Sequence, residues 1–362
     1  MTGYIKFIKC DIVKVIGRLK MKVEQFGEIG LIERIVKRFH VNKQIVTVGA
    51  GEDDCAVIDI DKAKGGYKYL VVTTDTVQES THFPAGISPF QIGWTSVAVN
   101  LSDIAAMGAH PFAFMVAMGI PAHTETSFMD EVVEGIEKCA SVYNTAVVGG
   151  DITRSKELSL TGTCFGFADK PVRRAGAEVG DQVCVTGSLG NAALAMKIIE
   201  EGEEIKVPEK AEEVAKKALF QPVPRIQEGV ILADSGSVTS MIDISDGLAL
   251  SLAELAKSST VGFEIYEDKV PLFNDGIRNA EGLDLSKLGF EPREFAFYFG
   301  GDYELLFTIN MKGVRKDEEL LKRIQKEVKM SIIGEVVPPE EGIYFKTGEE
   351  KEMMEIKGYQ HF

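Results

Sequence analysis

Two hydrophobic periods alternate along this chain. Residues 69–74 (YLVVTT) are β-branched and run into Asp75, the pattern of a strand with its polar residues at the end. Over 92–107 the spacing changes. Val97, Leu101, Ile104 and Ala105 recur on a helical period, and Gly108 follows as a C-cap. The pattern then predicts a buried strand over 111–119, an amphipathic helix over 128–143 and a short strand over 146–148 that runs into Gly149-Gly150-Asp151. Another strand is predicted over 158–167. Turn chemistry at Gly176, Gly180 and Asp181 marks a boundary. Beyond it come a strand at 182–185, a glycine loop at 187–190 and an alanine-rich helix. A polar, proline-containing connection over 206–214 follows, then a strand at 241–244 and a helix over 247–257. Segments 295–299, 305–309 and 331–336 read as further strands.

This mixed order predicts two α/β domains, each with a sheet on one side and helices on the other. The expected division is 21–175 and 176–362. Residues 1–20 carry scattered Lys and Arg with no apolar block, and a fresh pattern begins at Met21, so they read as an upstream extension rather than a signal peptide.

Composition narrows the function classes. The chain has 362 residues, 45% hydrophobic and 26% charged, the balance of a folded globular protein. A formal net charge of −15 argues against a non-specific nucleic-acid binder, because a duplex repels such a surface. The best apolar run, 113–122, is about half the length that spans a bilayer, which excludes a transmembrane helix there. The five cysteines (Cys10, Cys55, Cys139, Cys164, Cys184) are odd in number and contain no C-x-x-C. They read as buried thiols in a reducing cytoplasm rather than as disulfides or zinc ligands.

The candidate chemistry lies in acids that recur beside apolar segments. They fall in Gly51-Glu52-Asp53-Asp54, Thr73-Thr74-Asp75, Asn100-Leu101-Ser102-Asp103, Gly149-Gly150-Asp151 and Asp243-Ile244-Ser245-Asp246-Gly247. One such Asp is more often a helix cap or turn former than a ligand. Five placements in one acidic chain change the odds. Acids gathered by folding repel one another unless cations sit between them, and Mg²⁺ prefers hard oxygen ligands shared with phosphates. Gly149-Gly150 and the loop 187–190 remove Cβ atoms where backbone could approach a phosphate. No P-loop, no dinucleotide-binding glycine motif and no protein-kinase H-R-D or D-F-G occurs. The pair Arg173-Arg174 lies just before the boundary, where a cleft would form, and suits bidentate phosphate contact, although most such pairs are solvated surface. His82 reads as a loop histidine or as a donor to a phosphate or heterocycle.

Eight stretches together resemble the thiamine-monophosphate kinase family of the aminoimidazole ribonucleotide synthetase superfamily. They are GEDDCAVIDI (51–60), TTDTVQESTHF (73–83), AVNLSDIAAMGAHP (98–111), GGDITR (149–154), RAGAEVGDQVCVTGSLG (174–190), IDISDGL (242–248), GGDYELLF (300–307) and KGYQHF (357–362). The resemblance implies a two-domain α/β (α+β) fold of the aminoimidazole ribonucleotide synthetase type, each domain a mixed sheet covered by helices. It implies transfer of the γ-phosphoryl of ATP to thiamine monophosphate with several Mg²⁺ ions, and a homodimer whose N-terminal sheets pair near the nucleotide. Carried over by motif, Asp53, Thr73, Thr74, Asp75, Asp103, Asp151, Asp243 and Asp246 are the implied magnesium ligands, with Asp75, Asp103 and Asp151 central to catalysis. Gly150, Asp151, Arg174 and Ser245 are the implied nucleotide contacts, and His82 and Tyr359 the implied contacts to thiamine monophosphate. Two departures stand out. Many members read G-D-D where this chain has Gly51-Glu52-Asp53-Asp54, which leaves Glu52 and Asp54 as alternatives to Asp53. Members also commonly read G-G-E-D-Y-E-L where this chain has Gly300-Gly301-Asp302-Tyr303-Glu304-Leu305, with Asp302 the substitute for the missing Glu.

Overall fold

The computed structural model describes residues 22, 28–48, 57–202, 207–281, 292–310, 324 and 326–360. The expected extension at 1–20, the candidate ligand Asp53 with its neighbours Glu52 and Asp54, and Cys10 and Cys55 lie outside the described residues. Helices longer than two turns are α1 (Glu28–Val36), α2 (Pro89–Ala106), α3 (Thr126–Val142), α4 (Asn191–Glu201), α5 (Glu209–Phe220), α6 (Ile226–Asp234) and α7 (Leu248–Ser259). A two-strand ladder, β1 (Val46–Val48) with β2 (Val57–Ile58), precedes the first sheet.

The first sheet contains β3 (Tyr69–Gln78), β4 (His110–Ile120), β5 (Ala146–Arg154) and β6 (Ser159–Ala168), in the spatial order β3-β6-β4-β5. Only β4 and β5 run parallel, joined by α3, because a parallel neighbour needs a crossover helix. One face of the sheet is covered by α2 and α3. A capping box opens α2: Ser88 accepts from the Gln91 N–H while the Gln91 side chain accepts from the Ser88 N–H, and Pro89 fills the first helical position. This helix is buried nearly all round, because it packs on the first sheet, on α3, and on α6, β8 and β10 of the other domain.

The second sheet has β7 (Gln182–Thr186), β8 (Val238–Ile244), β9 (Gly262–Tyr266), β10 (Glu304–Ile309), β11 (Met330–Val337), β12 (Ile343–Thr347) and β13 (Glu350–Met353). Their order is β13-β12-β9-β11-β7-β10-β8, antiparallel except for β9 with β12. Strand alternation divides its central strands between two cores. Met241, Leu305, Phe307 and Ile309 join the core built around α2, whereas Ile242, Ile244 and Leu306 join one built around α7. The two domains therefore share one continuous apolar interior.

Several expectations change. Segment 295–299 is not a strand: Pro292–Phe297 is helical, with Phe295 packed among α4 and α5 and Phe297 set edge-on against Phe345 of β12. The connection expected over 206–214 already contains the start of α5, whose buried stripe of Ala211, Ala215 and Phe220 the surrounding charges obscured. Strand β3 continues three residues past Asp75, and Asp151 lies within β5, so neither acid stands at a strand end. Among the described residues no helix is long and apolar enough to cross a membrane.

Candidate active site between the two domains

The site begins with two strands meeting one helix. On β3, strand alternation turns Thr73 and Asp75 toward α2. Thr73 Oγ1 donates to Asp103 Oδ2 at 2.5 Å. The backbone N–H of Asp75 donates to Asn100 Oδ1 at 3.1 Å, and Asn100 is itself held by its Nδ2 donating to the Ser96 carbonyl. From the second domain, β8 places Asp243 on the same side as Met241, facing α2. There Ser102 Oγ donates to Asp243 Oδ2 at 2.8 Å. Asp246 follows in the turn between β8 and α7.

The electrostatics show how close these acids are. Asp243, only 5% exposed, is pushed up to about 7 by burial and by the Asp103 charge, with Asp75 and Asp246 adding to it and the Ser102 bond opposing. Asp75, which keeps a solvent-open edge, is pushed up to about 6 by desolvation, then by Asp103 and Asp246. Asp103 is raised by burial against the opposing effects of the Thr73 hydroxyl and the Arg174 guanidinium. Four carboxylates from three separated segments thus lie near enough to repel one another, with Arg174 close enough to Asp103 to oppose the effect. Arg174 Nη1 also lies 4.0 Å from Glu254 Oε2.

Ladder register separates other candidates from this group. Asp75 shares a row with Gly162, Val116 and Gly150. Asp151 is one row on, level with Ala117 and Thr161, and so by alternation belongs to the opposite, open face. Thr74 lies on that face as well, donating to the Gly162 carbonyl at 2.6 Å while its Oγ1 accepts from Thr163. Since β3 and β5 are the two edges of the sheet, three strand spacings, about 14 Å, separate Asp75 from Asp151. One chain does not gather all the expected acids on one surface, because period-two strands send neighbouring residues to opposite faces.

His82 ends the one-turn helix Glu79–His82 after β3, its Nδ1 within 2.6 Å of Thr81 Oγ1 and accepting from the Gln78 N–H. Ser245 is half-buried, and its carbonyl accepts from the Gly301 N–H at 2.8 Å. Tyr359 is exposed, with its N–H donating to the Asp246 carbonyl.

Asp302, the expected substitute for the missing Glu, is engaged by backbone donors. Its Oδ2 accepts from Gly190 N–H at 2.6 Å and its Oδ1 from Ala192 N–H at 3.2 Å, so both oxygens cap the N-terminus of α4. Burial still holds its pKa up near 7, against those backbone donors.

Other participants were not singled out from the sequence. Tyr303 adopts a left-handed backbone (φ 51°), and after burial the charges of Asp243, Asp75, Asp246 and Asp103 raise its phenol well above the usual range. Glu304, 3% exposed, accepts a bidentate pair from Arg225 (Nε at 2.7 Å, Nη2 at 2.6 Å) and a bond from Thr186 Oγ1. Asn100 and Ser102 lie in the acid-bearing stretch 100–103 that the sequence already marks, but their partners Asp75 and Asp243 are not legible there. The Arg225–Glu304 pair, 79 residues apart, had no readable signal.

A family model described as AIR synthase related protein, N-terminal domain, matches residues 52–168, and its C-terminal counterpart matches 178–346. A thiamine-monophosphate kinase from Methanospirillum hungatei is 36% identical over 291 residues, covering 79% of this chain and 90% of its own. A crystal structure of thiamine-monophosphate kinase from Stenotrophomonas maltophilia superposes with a TM-score of 0.73 at 30% identity, covering 87% of this chain and 95% of its own. A structure described as AaThiL complexed with AMPPCP and TMP gives a TM-score of 0.70 at 28% identity, covering 95% and 100%. The chain belongs to the AIR synthase related proteins and, within them, to the thiamine-monophosphate kinase family of ATP-dependent phosphotransferases.

Proposed function

We propose that this protein transfers the γ-phosphoryl of ATP to thiamine monophosphate by direct in-line displacement, with Mg²⁺, giving thiamine diphosphate and ADP. The observation that carries the chemistry is the convergence of Asp75, Asp103, Asp243 and Asp246 on one interdomain cleft, where crowding pushes carboxyls toward holding protons. Family membership and the neighbour crystallised with AMPPCP and TMP support the substrates.

Among the described residues, no three His, Cys, Asp or Glu side chains form a ready-made metal cage. The donor set nonetheless fits Mg²⁺, which keeps several waters and takes one or two carboxylates together with substrate phosphates. Asp75, Asp103, Asp243 and Asp246 would hold it, with Asp53 as a further candidate. Bound there, the cation would neutralise and align phosphates that otherwise repel.

The acceptor is a phosphate oxygen, already anionic near neutral pH, so no general base is needed. That oxygen forms the new bond to the γ-phosphorus as the bond to the β-phosphate oxygen breaks, and ADP leaves with the electron pair. Arg174 is assigned to a phosphate, and Ser245 and Gly150 to the nucleotide, on the family motifs. Tyr359 and His82 are assigned to the thiamine moiety, the Tyr359 ring offering a π-face to the cationic thiazolium.

The active form is proposed to be a cytoplasmic homodimer. The open face of the first sheet exposes Leu70, Val72 and Met115, apolar side chains that pairing would cover. Thr74 and Asp151 share that face, so pairing there would bring them to the subunit interface. Buried Cys139, Cys164 and Cys184, all free thiols, suit a reducing compartment.

Incubation with ATP, Mg²⁺ and thiamine monophosphate tests the assignment. Thiamine diphosphate with equimolar ADP is expected. ADP formed only with another acceptor would point to a sister enzyme of the superfamily, and binding without turnover to a silent cofactor-binding protein. Tyr359→Ala is expected to raise KM for thiamine monophosphate more than KM for ATP.

A further inference from the structure

The C-terminal stretch is anchored first and then meets the backbone of the turn that carries Asp246. Met354 is buried, and its N–H donates to the Ile343 carbonyl at 2.9 Å. Lys357 Nζ stands 4.3 Å from the centre of the Tyr298 ring and 3.0 Å from Glu355 Oε2. The next residues cross the turn that carries Asp246. Tyr359 N–H donates to the Asp246 carbonyl at 3.1 Å. A Cβ added at Gly358 would lie 2.3 Å from that same carbonyl oxygen, and 2.5 and 2.8 Å from Leu250 Cδ1 and Cγ. The turn also meets Gly300, where a Cβ would lie 2.2 Å from the Ser245 carbonyl oxygen. The turn bearing Ser245 and Asp246 is therefore met by two backbone segments that approach only because each presents a glycine.

We propose that Gly358 is a positioning residue: by bringing the tail backbone onto the Asp246 carbonyl, it holds Tyr359 and the Asp246 carboxylate as one unit and so ties acceptor recognition to the phosphoryl-transfer cleft. This rests on the assignment of Tyr359 to thiamine monophosphate. The physical requirement is space. Leu250 can turn away from a new methyl group, but the Asp246 carbonyl is fixed between β8 and α7. An ordinary contact begins at 3.4 Å, so any Cβ forces the tail back by about 1 Å. That displacement carries the Tyr359 N–H out of hydrogen-bond range.

The test is Gly358→Ala, assayed with ATP, Mg²⁺ and thiamine monophosphate and compared with Tyr359→Ala and with Gly358→Ala/Leu250→Ala. The expected result is a KM for thiamine monophosphate raised about 10- to 100-fold, as a misplacement of about 1 Å can produce, with KM for ATP changed less than about twofold. Trypsin cleavage after Lys357 should also accelerate, a readout that needs no turnover. Trimming Leu250 should restore neither property, because the carbonyl clash remains, and recovery in the double variant overturns the inference. If Tyr359→Ala raises the acceptor KM while Gly358→Ala leaves it unchanged, Gly358 has no positioning role and the Tyr359 assignment stands. If Gly358→Ala alone raises it, the tie stands and the Tyr359 assignment fails. Unchanged trypsin cleavage in Gly358→Ala overturns the tie whatever the wild type turns over.

Discussion

Ser102 on α2 donates its hydroxyl to Asp243 on β8 across the domain boundary, 2.8 Å from Oγ to Oδ2. It is the neutral donor that opposes the upward push on this buried carboxyl. Ser102→Ala leaves an acceptor in an interior site without that partner. We expect a loss of about 1–3 kcal/mol in unfolding free energy, measured by urea titration. A variant as stable as the wild type would show that solvent replaces the hydroxyl.

The acid cluster should make the cation-free protein lose stability as pH rises. Asp75 is pushed up to about 6 and Asp243 to about 7, above their ordinary range. A carboxyl that binds its proton more tightly folded than unfolded contributes stability in full below its unfolded pKa, near 4, and loses it as pH climbs through the folded value. Tm without divalent cations is therefore expected to fall between pH 5 and pH 8. Millimolar Mg²⁺ should recover more of it at pH 8 than at pH 5, since protons and cations compete for the same oxygens. Asp75→Asn should flatten the fall and raise the cation-free Tm at pH 8 while reducing kcat at least about a hundredfold. A cation-free Tm indifferent to both pH and this substitution would contradict the repulsion.

Arg225 and Glu304 form the buried ion pair behind the loop that carries Tyr303. Burial alone would lower the Arg225 pKa, but the Glu304 carboxylate outweighs it and holds the guanidinium charged. Arg225→Ala strands a 3%-exposed carboxylate, and a loss of about 3–5 kcal/mol in unfolding free energy is expected. Arg225→Lys should recover only part of it, because an ammonium does not reproduce the two-point contact. Urea unfolding of the two variants checks the order.

Asp302 provides a separation of roles. Its bonds to Gly190 and Ala192 make it a helix cap, so Asp302→Ala is expected to cost about 1–2 kcal/mol of stability. KM for thiamine monophosphate should stay within about twofold. A large rise in that constant at unchanged stability would return Asp302 to substrate contact.

The residue pattern was enough to place most of the elements around the site. The β-branched run at 69–74, the helical spacing of Val97, Leu101 and Ile104, and the glycine-bounded strand at 241–244 each met a strand or helix there. Misplacements came where packing outweighs local preference. The aromatic segment 295–297 became helix because its rings reach two separate cores, Phe295 among α4 and α5 and Phe297 on Phe345, and α5 hid its narrow buried stripe among charges.

The sequence by itself determined which acids exist and the strand period that aims each one, because residue type and alternation are local properties. Only the tertiary structure decided which of them share a surface. Asp75, Asp103, Asp243 and Asp246 meet because β3, α2 and β8 pack around one interior, while Asp151 falls on the other face of the first sheet through ladder register. Register, the capture of Asp302 by a helix N-terminus and the approach of Gly358 to Asp246 are contacts between residues distant in the chain. Their energies arise only once the layers have docked, so no local stretch encodes them.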